Sequence, residues 1–473
     1  MTVYKPLWWI GLLLALVPVL GSLALDQPLS GTKTLDRTVD PVMVEGEHLP
    51  NLLGTDIGRL RLFAFRHGRR VPIPFQIDQR DSDGDWVWDI IYSQDSPPSH
   101  RAFEEAWSPV WKQSERHAGG QDDEDPPGKE IFDDNDVLVF MAKDLGDRNL
   151  DAEKALEATG RDEIEVTDPV DGAKGWAYLA YYDSSPPAPS PTRYMRYQAE
   201  ESRIISPVYG FGFSDTKVAL VEDLAIQGIP MLERIHIYGR TNISVGPIQK
   251  QIGFTEEDIR GYLEGYIAGP VRIVTRSHAC LELGLGMCSP EVKCDHFYYP
   301  YDARVPACLL VRFPVHETSL LFAVDYRRSP FRRLLIGSDQ GVAVWDKGMR
   351  DNPRPQDWQN GKWMALDSEN GSVVSYVTMP QALVGHADAR PYLDFGPEAP
   401  DPTEPNTTQP REVGFKIEAL PDAPKGGYIV YGTYVVSPEP YRPGDGLRAL
   451  NLQTNPLKFR VSGWLGSVSE GTD

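Results

Sequence analysis

The chain has 473 residues, 41% hydrophobic and 10% aromatic, which is ample for packed cores and too long for one simple core, so two or three domains are expected. A formal net charge of −21 with a pI near 4.9 argues against nucleic acid or an anionic membrane surface as partner, since both call for a surplus of Lys and Arg. Gly 42 and Pro 41 imply many turns and few long helices.

At the N-terminus, Lys5 precedes the apolar run Leu7–Leu20, and Ser22-Leu23-Ala24 offers small residues where a signal peptidase reads. Residues 1–24 are therefore expected to be a signal peptide, and the mature protein periplasmic, cell-surface or secreted. An uncleaved anchor is the rival, because apolar character persists to Leu25; Pro18 and Gly21 favour cleavage. No later stretch is apolar enough to span a bilayer, so no membrane span is expected after cleavage.

Residues 25–185 read as an N-terminal β domain. Pro41-Val-Met-Val-Glu, Leu60–Phe65 and Val71–Ile77 have strand character, and Gly68 closes a turn. An acidic turn follows, Asp81-Ser-Asp83-Gly-Asp85-Trp-Val-Trp-Asp89. Residues 95–129 form a long acidic insertion with one short helix near Ala102–Trp107. Strands resume at Val137–Phe140, preceded by Asp133-Asp134-Asn135-Asp136, and at Gly175–Tyr182.

A Pro-rich linker at 186–192 leads to a larger β domain at 193–465. Its strands include Lys217–Val221, Arg234–Tyr238, Val271–Val274, Cys308–Phe313 and Ser319–Val324. Thr255-Glu-Glu-Asp258 has the form of a helix cap, and Gly261 and Gly265 weaken any helix after it. A flexible segment at 394–411 precedes Glu412–Ile417, Gly427–Tyr431 and Phe459–Ser462, which are expected to complete the second domain's sheets. The pattern predicts a mainly β fold of antiparallel sandwich or supersandwich domains.

Carboxylates at alternate positions of a turn repel one another unless water or a cation separates them, and Ca²⁺ takes six to eight oxygens in irregular geometry. Asp81, Asp83 and Asp85 match positions 1, 3 and 5 of an EF-hand loop, and Asp89 falls at position 9. Trp86 stands where that loop requires glycine, and Tyr92 where it requires glutamate, so a helical EF-hand is excluded. The expectation is a split Ca²⁺ site of Asp81, Asp83, Asp85 and Asp89, completed by Asp133 and Asp136 across the insertion. The bland alternative is a solvated acidic turn.

Val71-Pro-Ile-Pro-Phe-Gln-Ile-Asp78-Gln-Arg-Asp81-Ser-Asp-Gly, with Phe132–Asp144 downstream, resembles a module of exported bacterial β-sandwich proteins. In that module a Pro-x-Gln-x-Asp strand precedes an Asp-x-Asp-Gly calcium-type turn. Similar segments occur near the N-termini of some polysaccharide-degrading proteins. The resemblance covers Pro41 to Arg148, departs from the pattern at Val137, and implies architecture rather than a reaction.

Cys280, Cys288, Cys294 and Cys308 are an even set in an exported chain, suggesting two disulfides with three possible pairings. His278 and His296 beside them make a Cys/His metal site the alternative. Arg234, His236 and Tyr238 alternate on one strand and share a face, as a lyase's proton-transfer and carboxylate-neutralising groups would; a polar outer face explains the same alternation. The leading expectation is an exported calcium-binding protein serving as a binding or accessory component, with an unknown protein or glycan partner. A carbohydrate-active enzyme, polysaccharide lyase or glycoside hydrolase, is the alternative.

Overall fold

The computed structural model describes residues 31–91 and 130–472 apart from several internal stretches, the longest being 348–359 and 395–411. The expected signal peptide at 1–24, the expected insertion at 95–129 with the short helix expected near Ala102–Trp107, and most of the segment 394–411 lie outside the described residues. What is described is mainly β, built from antiparallel sheets, with two short α-helices at Ala152–Leu156 and Asp445–Thr454.

The N-terminal unit is a sandwich. One layer has three strands, Pro41–Glu45, Val137–Met141 and Phe75–Asp78, with Val137–Met141 central. The other layer has six, beginning with the Leu60–Arg66 and Arg69–Pro72 hairpin and the Lys174–Tyr181 and Gly160–Thr167 pair. Val42, Val44, Leu138 and Phe140 of the small layer meet Leu62, Ile164, Val166 and Leu179 of the large one in a common core. The fifth strand of this layer brings a departure from the expected division. Lys458–Gly463 lies antiparallel to Gly160–Thr167, so the chain's end returns to the first unit instead of completing the second. Phe459 and Val461 are the reason: they sit in the first unit's core.

The second unit is a supersandwich. An eleven-stranded sheet runs through Arg333–Ser338, Trp363–Ser368, Gly371–Thr378, Gly426–Ser437, Asp302–Val311, Val292–Tyr298, Ile273–Gly284 and Ile259–Ala268. Two five-stranded sheets pack on it. One is formed by strands between Arg196 and Leu232; the other contains Ile235–Val245, Val315–Asp325, Glu412–Glu418 and Asp388–Asp394. Their shared core includes Phe211, Ile235, Phe331, Leu334, Trp345 and Phe415. Thr255 does cap a helix, a single 3₁₀ turn at Glu256–Asp258, after which the chain goes straight into strand.

Two features join the units. Val137–Met141 is buried along its whole length because Leu138 and Phe140 face the first core while Val137, Val139 and Met141 face Ile267, Val271 and Val274 of the second unit. Burial on both faces explains its unbroken apolar run. In addition, Ile90–Ile91, just beyond the acidic turn, pairs with Gly265–Tyr266 as the edge strand of the eleven-stranded sheet.

Candidate functional site

The Pro-x-Gln-x-Asp strand ends in side chains that bind the second unit. Gln76 Oε1 accepts from the backbone N–H of Val271 (2.9 Å) and Arg272 (2.8 Å), and its Nε2 donates to Asp78 Oδ1 at 2.6 Å. The other oxygen of Asp78 accepts from Arg272 Nε at 2.5 Å. Gln76, Asp78 and Arg272 are all buried. Leaving one of these groups without its partner would incur the desolvation cost of a buried polar or charged atom, so the set specifies how the units meet. Gly269 is required here, because a Cβ would fall 2.0 Å from Gln76 Oε1.

Trp86 fills the next position. Two guanidinium groups lie over its ring, Arg80 at 4.3 Å and Arg272 at 5.3 Å from the ring centroid. Its Nε1–H donates to Asp295 Oδ2 at 2.9 Å. Trp88 packs against Gly265, where a Cβ would meet its ring at 2.9 Å, and Arg276 lies 5.0 Å from that ring's centroid.

The six residues expected to hold calcium are placed as follows. Asp81 Oδ1 accepts from the N–H of Asp83 (3.0 Å) and Asp85 (2.8 Å), folding the turn on itself. Asp85 pairs with Arg276 Nη1 at 2.7 Å, and Asp89 Oδ2 accepts from Ala268 N–H at 2.7 Å. Asp136, fully buried, accepts from Arg80 N–H (3.0 Å) and Asp133 N–H (3.1 Å). The two acidic stretches do meet across the insertion, with Asn135 Nδ2 donating to the Asp81 carbonyl at 2.8 Å. They meet through the Arg80 backbone N–H on Asp136 and the Asn135 side-chain amide on Asp81, and the carboxylates are not gathered into a cage. Among the described residues, the group of three ligating side chains with atoms within 4.8 Å of one another is Glu45, Glu47 and His48.

Beside the docked turn, one face of the eleven-stranded sheet carries a dense set of functional groups. Arg276, His278 and Cys280 alternate on one strand opposite Asp295 and Lys293 on the next. Arg276 binds Asp295 through Nε (2.6 Å) and Nη2 (2.9 Å) while its third nitrogen holds Asp85. His278 is clasped by two carboxylates: Nε2 to Glu264 at 2.6 Å and Nδ1 to Glu291 at 3.4 Å. Burial lowers the imidazole pKa, but the bonds to Glu264 and Glu291 outweigh it and the net shift is upward. Glu264 shifts down, chiefly through its bond to His278. Phe297 continues the face and meets the ring of Tyr431 (centroids 6.2 Å apart), whose hydroxyl burial and nearby Asp295 push up to about 12.

On the opposite side of the same strands, His296 is buried and accepts or donates with Ser277 Oγ at 2.9 Å. Burial pulls its pKa down to about 4, so it is neutral at pH 7. The pair lines the interior beside Tyr298.

Arg234, His236 and Tyr238 lie elsewhere, Arg234 just before a strand of the smaller sheet and the other two on it, and each is tied to its own carboxylate. Arg234 pairs with Glu257 (2.6 Å), His236 Nδ1 with Glu256 (2.9 Å), and the Tyr238 hydroxyl with Glu412 (3.2 Å). Burial and then Glu412 raise Tyr238 to about 12. Ile235 on the intervening side faces the core, so these residues form the sheet's outer, hydrogen-bonded face. Cys280 and Cys288 are free thiols; Cys294 is buried, and the Cys308 side chain lies outside the described residues.

Sequence reasoning singled out His278 only as a neighbour of cysteines, and passed over Glu264, Glu291, Arg276 and Asp295. The available signal was the pairing of two alternating runs, Arg276-x-His278-x-Cys280 and Lys293-x-Asp295-x-Phe297, separated by a turn.

No family model and no curated protein matches this sequence. Among solved structures, an alpha-mannosidase from Enterococcus faecalis V583 is similar at 8% identity and a TM-score of 0.47, over 92% of this chain and 45% of that one. A protein in the glycosyl hydrolase family 38 from Enterococcus faecalis is similar at 9% identity and a TM-score of 0.45, over 92% and 46%. This chain therefore spans less than half the length of either.

Proposed function

We propose that the protein is a carbohydrate-active enzyme of the extracytoplasmic space, and that the Glu264–His278–Glu291 face is where a glycan is worked on. The observation that carries this reading is the clasped His278. An imidazole hydrogen-bonded to a carboxylate on each side is a proton donor beside a proton acceptor, an arrangement suited to general acid–base work on a glycosidic bond or a sugar proton. Asp295 alongside, its side chain 20% exposed, supplies a polar group for sugar hydroxyls, and Trp88, Phe297 and Tyr431 supply ring faces. Arg276 is already paired with two carboxylates, so a neutral glycan suits the face better than a polyanion, in keeping with the net charge of −21.

The test is incubation of the full chain with a panel of polysaccharides, following new reducing ends and the ultraviolet absorbance of unsaturated products. New ends with a saturated product indicate hydrolysis, and absorbance indicates elimination. His278→Ala is expected to lose about 10²–10⁴-fold in rate, the usual worth of a positioned acid–base group. Retained activity in that variant overturns the assignment. A second reading, a glycan-binding accessory component, is favoured by the full pairing of Arg276 and is the outcome if glycan binds without turnover.

A further inference from the structure

Cys280 and Cys288 lie on adjoining segments that fold back on each other, with Glu282 opposite Cys288, and the two thiols are close neighbours. The return is fastened on both sides, by Ser289 N–H to the Leu281 carbonyl (2.7 Å) and Leu281 N–H to Ser289 Oγ (2.9 Å). Cys280 is buried, 5% exposed, and Cys288 is half-buried. Cys280 shares its strand face with His278, two residues earlier, and Glu291 follows Cys288 by three. Two neighbouring thiols at the end of a hairpin, one reachable and one sheltered, have the layout of an attacking and a resolving cysteine.

We propose that Cys280 and Cys288 form an oxidative modification site, a dithiol that closes reversibly to an intramolecular disulfide in exchange with a small-molecule disulfide of the glutathione type. The Cys288 thiolate attacks one sulfur of the small disulfide, whose S–S bond breaks and releases one thiolate, leaving a mixed disulfide on Cys288. Cys280 then loses its proton to solvent and attacks Cys288 Sγ. The mixed S–S bond breaks, the second small thiolate leaves and takes up a proton, and the protein disulfide forms. Two protein thiols are oxidised and one small disulfide is reduced to two thiols. Burial, followed by the neighbouring Cys288 and Glu291, pushes Cys280 up to about 12, which makes resolution the slower step.

Closing the bond pins the return segment, so Glu291 is held more constantly on His278 Nδ1, where its present 3.4 Å contact is at the outer limit of a hydrogen bond. That consequence rests on the reading of His278 as the centre of the working face; disulfide formation does not.

The test is exposure of the full chain to oxidised glutathione, followed by alkylation of remaining thiols and mass mapping of the Cys280 and Cys288 peptides. Alkylation of both is expected to fall by roughly tenfold or more, to return with dithiothreitol, and to leave no glutathione on the wild type. Cys280→Ser is expected to retain one glutathione on Cys288. Full alkylation after oxidation, or stable glutathione on wild-type Cys288, overturns the proposal whatever the glycan assay shows. An imidazole titration followed by NMR is expected to move upward on oxidation, and an unmoved His278 overturns the link to the working face.

Discussion

Replacing Trp86 by alanine tests whether the acidic turn is the fastening between the two units. The ring is 8% exposed, packed in a cluster with Val139, Val271 and Tyr299, overlaid by two guanidinium groups, and bonded through Nε1 to Asp295. Truncating a buried Trp or Phe costs about 3–5 kcal/mol in packing and cavity terms. Desolvated cation–π contacts contribute about 1–2 kcal/mol each, and a hydrogen bond to a charged acceptor about 1.5–3 kcal/mol. These terms overlap, since they share the same ring, and Trp86→Ala is expected to cost about 5 kcal/mol. Trp86→Phe keeps a ring for Arg80 and Arg272 but loses the donor to Asp295, so about 2 kcal/mol is expected. The assay is urea unfolding followed by far-UV circular dichroism, reading the first transition, because two joined units need not unfold as one. A cost below about 1 kcal/mol for the alanine variant, or an equal cost for the two variants, would refute the ring's role.

The two histidines give pH dependences of opposite sign. His296 is held neutral by burial with its pKa down near 4, so between that value and the unfolded value near 6.5 the unfolded chain binds more protons and stability falls as pH falls, by up to roughly 3 kcal/mol. His278 is shifted upward, so its contribution is complete below pH 6.5 and is lost as pH rises through its folded value. Denaturation midpoints from pH 4 to 9 are expected to lose the acid-side slope in His296→Gln and the alkaline-side slope in His278→Gln, and unchanged slopes would contradict the respective assignments. Calcium is expected to matter little to the joint, because Asp81, Asp85, Asp89 and Asp136 are engaged by protein donors. Melting with chelator and with added calcium should give one midpoint; a drop in chelator that calcium restores would establish an ion after all.

The mainly β architecture was legible because alternation and turn chemistry are local. Val137–Met141 was legible as a strand, yet its second buried face was not, since an apolar run says that both sides are covered and not by what. Lys458–Gly463 illustrates the same limit. Its residues alternate as strand residues should, and only the fit of Phe459 and Val461 into a core begun 400 residues earlier decides which sheet they join. The acidic turn was found but its partners were not. A row of aspartates looks alike whether it faces an ion, water or an arginine, and the arginines in question, Arg272 and Arg276, are nearly 200 residues downstream. Trp86 held the clue to the socket: a bulky ring at the position where an EF-hand loop needs glycine argues against that helical loop and suits a buried site.

Arg276 links the fastening to the proposed working face. Two of its nitrogens hold Asp295 and the third holds Asp85 from the other unit, while Trp88 lies across it. Asp295 in turn receives Trp86 Nε1. The first unit therefore contributes an anion and two rings to the surroundings of a guanidinium that sits two residues from His278. Without the turn, Arg276 would keep Asp295 but lose Asp85 and the aromatic cover, and water would reach the ion pair. Charge interactions weaken several-fold when solvent enters, so the electrostatic setting of His278 depends on the units being docked. On this argument the N-terminal sandwich does more than stabilise its neighbour: it shapes the field in which the Glu264–His278–Glu291 set operates, and the second unit expressed alone would present the same residues in a different chemical state.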